Sequence, residues 1–267
     1  MLYVEPYGGL CNRMRCMSSA CRFAEKHNIE LTIIWSELDE LNCDFKSLFS
    51  LKCRAKVRII TIPNWDNRIK RYVHRALTKF LRERSKKFLY NYDGKDVDET
   101  VKDGMYILSF SNWFPTDDQF GVFELQDTIK KKVGKIIDPY QGKLIGVHIR
   151  RTDNKVSIEA SPTELFCKKI QEIRDEYPDC KLYVASDESN EIERITDYFG
   201  SENVVTMQGI ERSRNTKKGI IDAATELYIL ANCRAIVGSY YSSFTDTAAA
   251  IRNIPKYIVK QDCKLPE

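Results

Sequence analysis

Two adjacent arginines at the end of a predicted strand have the clearest chemical potential in this chain. They belong to the run HIRRTD at 148–153, which directly follows an apolar run at 144–147. The planar guanidinium suits phosphate oxygens and carries its charge at any working pH, so Arg150 and Arg151 predict a phosphate site. The alternative is a structural pair in which Asp153 or Asp187 holds Arg151. Both interpretations can apply, with one arginine on phosphate and the other structural.

A second loop has residue types that suit the same anion. The run SYYSSFT at 239–245 follows a predicted strand and precedes an alanine-rich helix. Hydroxyls and backbone N–H groups at a helix start form an anion site, and plain helix capping by serine or threonine is the alternative. With HIRRTD on a neighbouring strand end, this loop favours a diphosphate site.

A third loop, GGLCNR at 8–13, lies between the first predicted strand and the first predicted helix. The paired glycines Gly8 and Gly9 let the backbone approach a ligand closely, and Asn12 is placed to cap the helix. The alternative is an ordinary tight turn between a strand and a helix.

Three carboxylates complete the set of chemically suited side chains. Asp187 follows the predicted strand at 181–185, so it too lies at the carboxyl end of a strand. Asp222 and Glu226 are four residues apart on a predicted helix and therefore share a face. A carboxylate there accepts the N–H groups of a guanine ring. The alternative for this pair is a solvated helix face that pairs with Lys218.

The elements that position these loops alternate between short apolar runs and amphipathic stretches. Strands are predicted at 2–4, 31–35, 57–61, 106–109, 143–148, 181–185, 204–206, 235–238 and 256–259, and helices at 12–27, 69–84, 162–177, 189–199, 217–232 and 244–252. Such alternation is typical of parallel sheets covered on both faces, hence an α/β fold. Residues 85–135 are polar and irregular, with turn signals, so we predict two α/β domains, 1–138 and 139–267.

These motifs resemble those of one family. HIRRTDNKVSIEA, LYVASDE and GSYYSSFTDTAA are similar in order and spacing to three motifs of the fucosyltransferase superfamily that includes the α1,6-, nodulation and protein O-fucosyltransferases. GGLCNRMR resembles the glycine-rich loop of the family's partner domain. The resemblance implies a GT-B fold, in which two Rossmann-like domains with parallel sheets face each other across a cleft. It also implies GDP-fucose as the donor, transferred with inversion and without a metal or other cofactor.

The resemblance assigns roles to individual residues. Arg150 contacts the diphosphate and stabilises charge on the leaving group, and Glu159 stands where the α1,6-type enzymes have an acidic residue near the reacting sugar. Spacing points to Glu226 as the guanine-reading carboxylate, while Asp222 has the family's residue type. The donor-site residues expected from the motifs are Gly8, Gly9, Asn12, Arg13, His148, Arg150, Arg151, Asp153, Asp187, Asp222, Glu226, Ser242, Ser243, Phe244 and Thr245.

The sequence is also compatible with two other functions. One is a related glycosyltransferase that uses another nucleotide sugar, because arginines read the diphosphate and not the sugar. The other is a non-catalytic protein that binds a sugar nucleotide or a glycan. The acceptor is expected to be a glycan or glycoconjugate, with Trp35, Trp65 and Trp113 as sugar-stacking platforms or as core residues.

Composition and charge exclude other classes. Of 267 residues, 43% are hydrophobic, which rules out a disordered chain. The net charge is only +4, from 42 basic and 38 acidic residues, so no nucleic-acid partner is expected. No apolar run reaches the length of a membrane span, and no secretory leader is visible. Nine cysteines without a CxxC pair are expected to be reduced thiols in a cytoplasmic protein.

One segment is far more basic than the net charge of the chain indicates. Residues 68–87 contain nine lysines and arginines and a single acid, Glu83, on a pattern with helical apolar spacing. Such a segment predicts peripheral contact with a membrane surface, or docking of a lipid-linked or anionic acceptor. The alternative is a packed helix with a solvated basic face.

Overall fold

The computed structural model describes residues 1–64, 68–91, 97, 104–115 and 117–261, and divides into two compact units. The first comprises Met1–Gln126 and Ser213–Ile221, and the second comprises Asp127–Arg212 and Asp222–Glu267. This division differs from the predicted boundary between 138 and 139, since it falls earlier and assigns 213–221 to the first unit. Trp65 and Cys263 lie outside the described residues.

The first unit contains a five-stranded sheet in the order β4-β2-β1-β6-β5, in which all neighbouring strands are parallel. A short antiparallel pair, β3 and β7, accompanies it. The elements are β1 (Leu2–Pro6), α1 (Leu10–His27), β2 (Leu31–Ser36), β3 (Phe49–Leu51), β4 (Val57–Ile62), α2 (Arg68–Arg84), β5 (Lys87–Asn91), β6 (Met105–Ser109) and β7 (Phe123–Leu125).

The second unit contains another five-stranded parallel sheet, in the order β10-β9-β8-β11-β12. Its elements are α3 (Asp127–Ile137), β8 (Leu144–Ile149), α4 (Lys155–Ala160), α5 (Thr163–Glu176), β9 (Lys181–Ser186), α6 (Ser189–Phe199), β10 (Val204–Val205), α7 (Lys217–Ala231), β11 (Ala235–Ser239), α8 (Ser243–Arg252) and β12 (Lys256–Val259). The first residues of α7, up to Ile221, belong to the first unit.

The central strands are apolar because they are covered on both faces. Every residue of β2 (LTIIWS) and β8 (LIGVHI) is buried, which matches the continuous apolar runs of parallel strands. In the second unit the core beneath α5 and α6 includes Ile145, Val147, Phe166, Ile170 and Ile195. The α/β alternation predicted from the sequence is therefore confirmed.

Each sheet has a point at which the strand order reverses. From β8 the chain proceeds outward through β9 and β10, and then returns to place β11 on the other side of β8. In the first sheet the chain proceeds outward from β1 through β2 to β4, then forms the opposite edge strand β5 and places β6 between β5 and β1. Ligands of open α/β sheets bind outside the carboxyl ends of the strands at such switch points. The loops that follow β8 and β11, and those that follow β1 and β6, are therefore the places to look for a site.

The segment 85–135 is more regular than predicted. It includes β5, β6, β7 and most of α3, so the expectation of an irregular stretch is wrong for its described residues. β5 was missed because it is an edge strand with alternating exposed positions and basic neighbours, which weakens its apolar signal.

Some chemical features are absent from the described ranges. The cysteines there form no disulfide, and His, Cys, Asp and Glu side chains form no group of three that could hold a metal ion. None of the described helices is both long and apolar enough to cross a bilayer.

Candidate functional site

Arg150 follows β8 and is held between two carboxylates of the same edge of the second sheet. Its Nη1 lies 2.9 Å from Asp187 Oδ2, and its Nη2 pairs with Asp153. Its backbone N–H donates to Ser239 Oγ at 2.9 Å, which ties the loop after β8 to the end of β11. The guanidinium therefore lies at the switch point and remains partly exposed, as a phosphate-binding group requires.

Asp187 organises the loop on which Arg150 lies. Its Oδ1 accepts the backbone N–H of Arg151 at 2.8 Å, and its Oδ2 accepts the Thr152 hydroxyl at 2.8 Å and the Thr152 N–H at 3.2 Å. One carboxylate from the end of β9 thus satisfies the orphan donors of the loop after β8. Asp187 is in this respect a positioning residue for Arg150.

Arg151 has a structural environment. Its side chain is buried, its Nη2 donates to Thr163 Oγ1 at 3.0 Å, and the same nitrogen lies 3.3 Å from Glu191 Oε2. Glu191 is itself buried and accepts the Thr163 hydroxyl at 2.5 Å. The sequence left open which arginine is structural; the structure pairs Arg151 with Glu191, on α6, rather than with the predicted Asp153 or Asp187 side chains.

His148 is buried beneath the loop that follows β11. Its Nδ1 lies 2.8 Å from Thr245 Oγ1, and its ring stacks on Phe244 with centroids 4.8 Å apart. Burial lowers the pKa of His148 to about 4, so the imidazole is neutral near pH 7. A Cβ on Gly238 would come within 2.2 Å of Thr245 Cγ2, so glycine there permits this close packing.

The start of α8 presents a capped helix N-terminus. Ser242 is the N-cap, and its side chain accepts the N–H of Thr245 at 3.5 Å, while Ser243 begins the helix. Tyr241, just before the cap, has a left-handed backbone with φ of 54° and an exposed side chain. Its carbonyl accepts from Asn154 Nδ2 at 2.9 Å. Strained non-glycine residues cluster at functional sites, and this one adjoins the predicted anion site.

Asp222, on α7, has structural partners. Its Oδ1 lies 3.2 Å from Lys132 Nζ, and its Oδ2 accepts the backbone N–H of Glu211 at 3.1 Å. The side chain is buried between these groups. Both carboxylate oxygens are therefore engaged within the second unit.

Glu226, one turn later on α7, differs from Asp222 in its hydrogen bonding. It is buried, and its Oε1 has no hydrogen-bond partner among the described residues. Burial raises the pKa of Glu226 to about 8, with Arg212 opposing that rise and Asp222 and Asp187 reinforcing it. Tyr183 Oη, on β9, is likewise buried without a described partner and interacts electrostatically with Glu226. A buried acceptor without a described partner is suited to receive a donor group from a ligand.

Glu159 lies on the exposed side of α4, a one-and-a-half-turn helix capped by Asn154. Its backbone carbonyl accepts from Gln261 Nε2 at 2.5 Å, and its carboxylate makes no hydrogen bond or ion pair with a described residue. The carboxylate is thus accessible to a substrate hydroxyl.

In the first unit the glycine-rich loop is supported from below by Arg13. The buried guanidinium donates from Nε to Gly8 O at 2.8 Å and from Nη1 to Ser36 O at 2.5 Å, while burial lowers its pKa to about 10. Arg13 therefore positions the loop. Gly9, not Asn12, is the N-cap of α1, and the Asn12 side chain lies against Gly8, whose φ is +78°.

Three aromatic side chains gather at the carboxyl edge of the first sheet. The rings of Tyr7 and Tyr90 stack with centroids 6.1 Å apart and their hydroxyls lie 2.9 Å from each other, and Phe110 meets Tyr7 edge-on at 5.1 Å. Sequence reasoning missed this aromatic cluster. The tryptophans it named instead, Trp35 and Trp113, are fully buried in the core.

Each of the two units is thus an α/β unit with a Rossmann-like parallel sheet and polar loops at its switch point. Among solved structures, the chain is similar to NodZ α-1,6-fucosyltransferase soaked with GDP-fucose (TM-score 0.64, 15% identity, 94% of this chain and 92% of that chain). It is also similar to fucosyltransferase NodZ from Bradyrhizobium (0.63, 17%, 92% and 92%) and to POFUT1 in complex with GDP (0.60, 13%, 97% and 98%).

These likenesses confirm at the level of fold the resemblance that the motifs predicted. The identities are low, so what they show is the fold. No protein-family model and no curated protein matches the chain.

Proposed function

We propose that this chain transfers fucose from GDP-fucose to a hydroxyl group of a glycan or glycoconjugate. The observation that carries the proposal is Arg150, held by Asp153 and Asp187 at the switch point of the second sheet. The similar folds of NodZ and POFUT1, crystallised with GDP-fucose or GDP, support the choice of donor. In keeping with the resemblance, we assign the donor to the second unit and the acceptor to the first.

In the proposed reaction each residue has one task. The acceptor oxygen attacks the anomeric carbon of fucose from the face opposite the diphosphate, which inverts that carbon. Glu159 takes the hydroxyl proton, and the bond to the phosphate oxygen breaks with its electron pair leaving on GDP. Arg150 and the N-terminus of α8 stabilise the charge of the departing diphosphate, without a metal. Glu226 accepts the N–H groups of guanine.

A donor panel tests this function. We expect transfer from GDP-fucose to an oligosaccharide acceptor, with GDP-mannose and UDP-sugars giving far less product, and no loss of rate in EDTA. Product is measured by mass spectrometry. Preference for another sugar nucleotide would instead support a related glycosyltransferase. Tight GDP binding without turnover on any acceptor would support a non-catalytic binding protein, and a strict need for Mn²⁺ would contradict the metal-free mechanism.

The aromatic cluster of Tyr7, Tyr90 and Phe110 supports a glycan as the acceptor. It lies where β1, β5 and β6 end, beside the switch point of the first sheet. Aromatic rings offer a large apolar surface with a polar edge, which suits a sugar with C–H groups on one face and hydroxyls around its rim. We therefore assign acceptor stacking to these residues.

Replacing Tyr7 should separate acceptor binding from donor binding. We expect Tyr7→Ala to raise the acceptor KM about tenfold, because one aromatic contact is lost, with the GDP affinity unchanged. Tyr90→Phe, which removes a hydroxyl and keeps the ring, is the matched control and should change the KM much less. An unaltered acceptor KM in both Tyr7→Ala and Phe110→Ala would contradict the assignment.

A further inference from the structure

Helix α2 has one face packed on the first sheet. Leu81 packs against the buried cluster of Ile34, Ile62 and Tyr106. Arg82 Nη2 lies 2.6 Å from Glu5 Oε2, and its guanidinium stands over the rings of Tyr106 and Phe88. These contacts fix which side of the helix is directed toward the protein.

The remaining surface of α2 carries apolar residues that the described part of the chain leaves exposed. Tyr72 is 75% exposed, Phe80 is 50% exposed and Leu77 is 38% exposed. Tyr72, Ala76 and Phe80 are four residues apart in turn, so they form one stripe along the helix. We call Tyr72, Ala76, Leu77 and Phe80 the α2 stripe. A packed helix with a solvated basic face, the alternative that the sequence left open, does not explain these exposed apolar side chains.

Cations accompany the α2 stripe. Arg75, Lys79, Arg84 and Lys86 are exposed, and the Arg84 guanidinium stands 5.1 Å from the centre of the Phe80 ring. The segment 68–87 contains nine basic residues and a single acidic one. A second copy of this chain is a poor occupant, because two such helices would repel each other. An anionic surface complements the charge, and aliphatic Ala76 and Leu77 favour an acyl boundary over stacked nucleic-acid bases.

We propose that α2 is an interfacial helix that docks this protein on an anionic lipid surface, with the α2 stripe inserted and the flanking cations at the headgroups. A basic helix with aromatic and aliphatic residues on one exposed face has the composition of helices that lie in the membrane interface. This docking does not depend on the proposed transfer reaction, and its test uses no catalytic readout.

Vesicle co-sedimentation of the full chain tests the proposal. We expect binding at low salt to vesicles of phosphatidylcholine with phosphatidylglycerol, weaker binding at high salt, and little binding to phosphatidylcholine alone. The double variant Tyr72→Ser, Phe80→Ser should lower the partition coefficient at least about tenfold. The double variant Arg75→Gln, Lys79→Gln should lower it about fivefold for each cation removed. Because all four side chains are exposed, these variants should keep the far-UV circular dichroism of the parent.

Matched controls lie in the second unit. Tyr198 on α6 is 64% exposed, and Tyr198→Ser should leave vesicle binding unchanged, as should Lys169→Gln on α5. Absence of binding to the anionic vesicles at low salt would overturn the proposal. Vesicle binding by the double serine variant at the wild-type level would also overturn it. That result would indicate a purely electrostatic contact, of the kind that nucleic acid makes. Self-association that the serine variant abolishes, without vesicle binding, would assign the α2 stripe to a second copy.

Discussion

Replacing Arg150 with alanine should reduce the proposed fucosyl transfer by about 10²–10³ in kcat, since Arg150 is the side-chain cation that we assign to the leaving diphosphate. The fold should survive. Asp187 keeps its hydrogen bonds to the backbone of Arg151 and Thr152, and the side chain of Arg150 ends at an accessible edge of the sheet. Arg150→Lys keeps the charge but loses the planar fork, so we expect an intermediate rate. Steady-state kinetics with GDP-fucose and thermal melting measure the two quantities separately.

Arg151 offers the matched control for this prediction. It is adjacent and of the same type, yet its side chain is buried against Glu191, which also pairs with Arg194. Arg151→Met therefore removes one of the two cations on that carboxylate and should cost about 1.5–3 kcal/mol of unfolding free energy. We therefore expect the variant at position 150 to lose kcat but not stability, and the variant at position 151 to lose stability. Near-normal turnover by Arg150→Ala would refute the catalytic assignment. Equal melting losses in both variants would show that Arg150 is structural too.

The two arginines also show which part of the site the sequence predicts and which part it does not. An arginine pair after an apolar run predicts a phosphate site at a strand end, and β8 does end there. Which arginine is structural depends on Thr163 and Glu191, which come from α5 and α6. Local spacing carries no information about such partners, because they are brought together only by the packing of helices on the sheet.

The same limit applied to the carboxylates of α7. Their spacing correctly placed Asp222 and Glu226 near one another, on a helix that follows β10 and precedes β11. Their difference depends on Lys132 from α3, which pairs with Asp222, whereas Oε1 of Glu226 has no described hydrogen-bond partner. Likewise, the aromatic cluster of Tyr7, Tyr90 and Phe110 comes from three strands that are neighbours only in the folded sheet. What the sequence indicates is the end of each strand, and what it omits is the order of the strands.

GDP binding should become tighter as the pH rises, because of Glu226. Its pKa is raised to about 8 by burial, so the carboxyl is mostly protonated in the ligand-free chain at pH 7. In the proposed assignment the ionised form accepts the N–H groups of guanine, so binding GDP should release a proton. We expect the affinity to increase about eightfold from pH 7 to pH 8.5 and nearly one proton to be released per GDP at pH 7. Calorimetry in buffers of different ionisation enthalpy measures both.

Glu226→Gln is the decisive variant for this coupling. It should weaken GDP binding by about 10²-fold, because a charge-assisted acceptor is lost, and abolish the proton release. The stability of the ligand-free chain gives an independent readout of the same pKa. In the unfolded chain Glu226 ionises near its ordinary pKa of 4.5, whereas in the folded chain it holds its proton until about pH 8. The unfolding free energy should therefore fall through that range, and the glutamine variant should lack this fall. If GDP affinity instead declines with rising pH, Glu226 donates from its protonated form, and its assignment as the acceptor for guanine N–H groups is wrong.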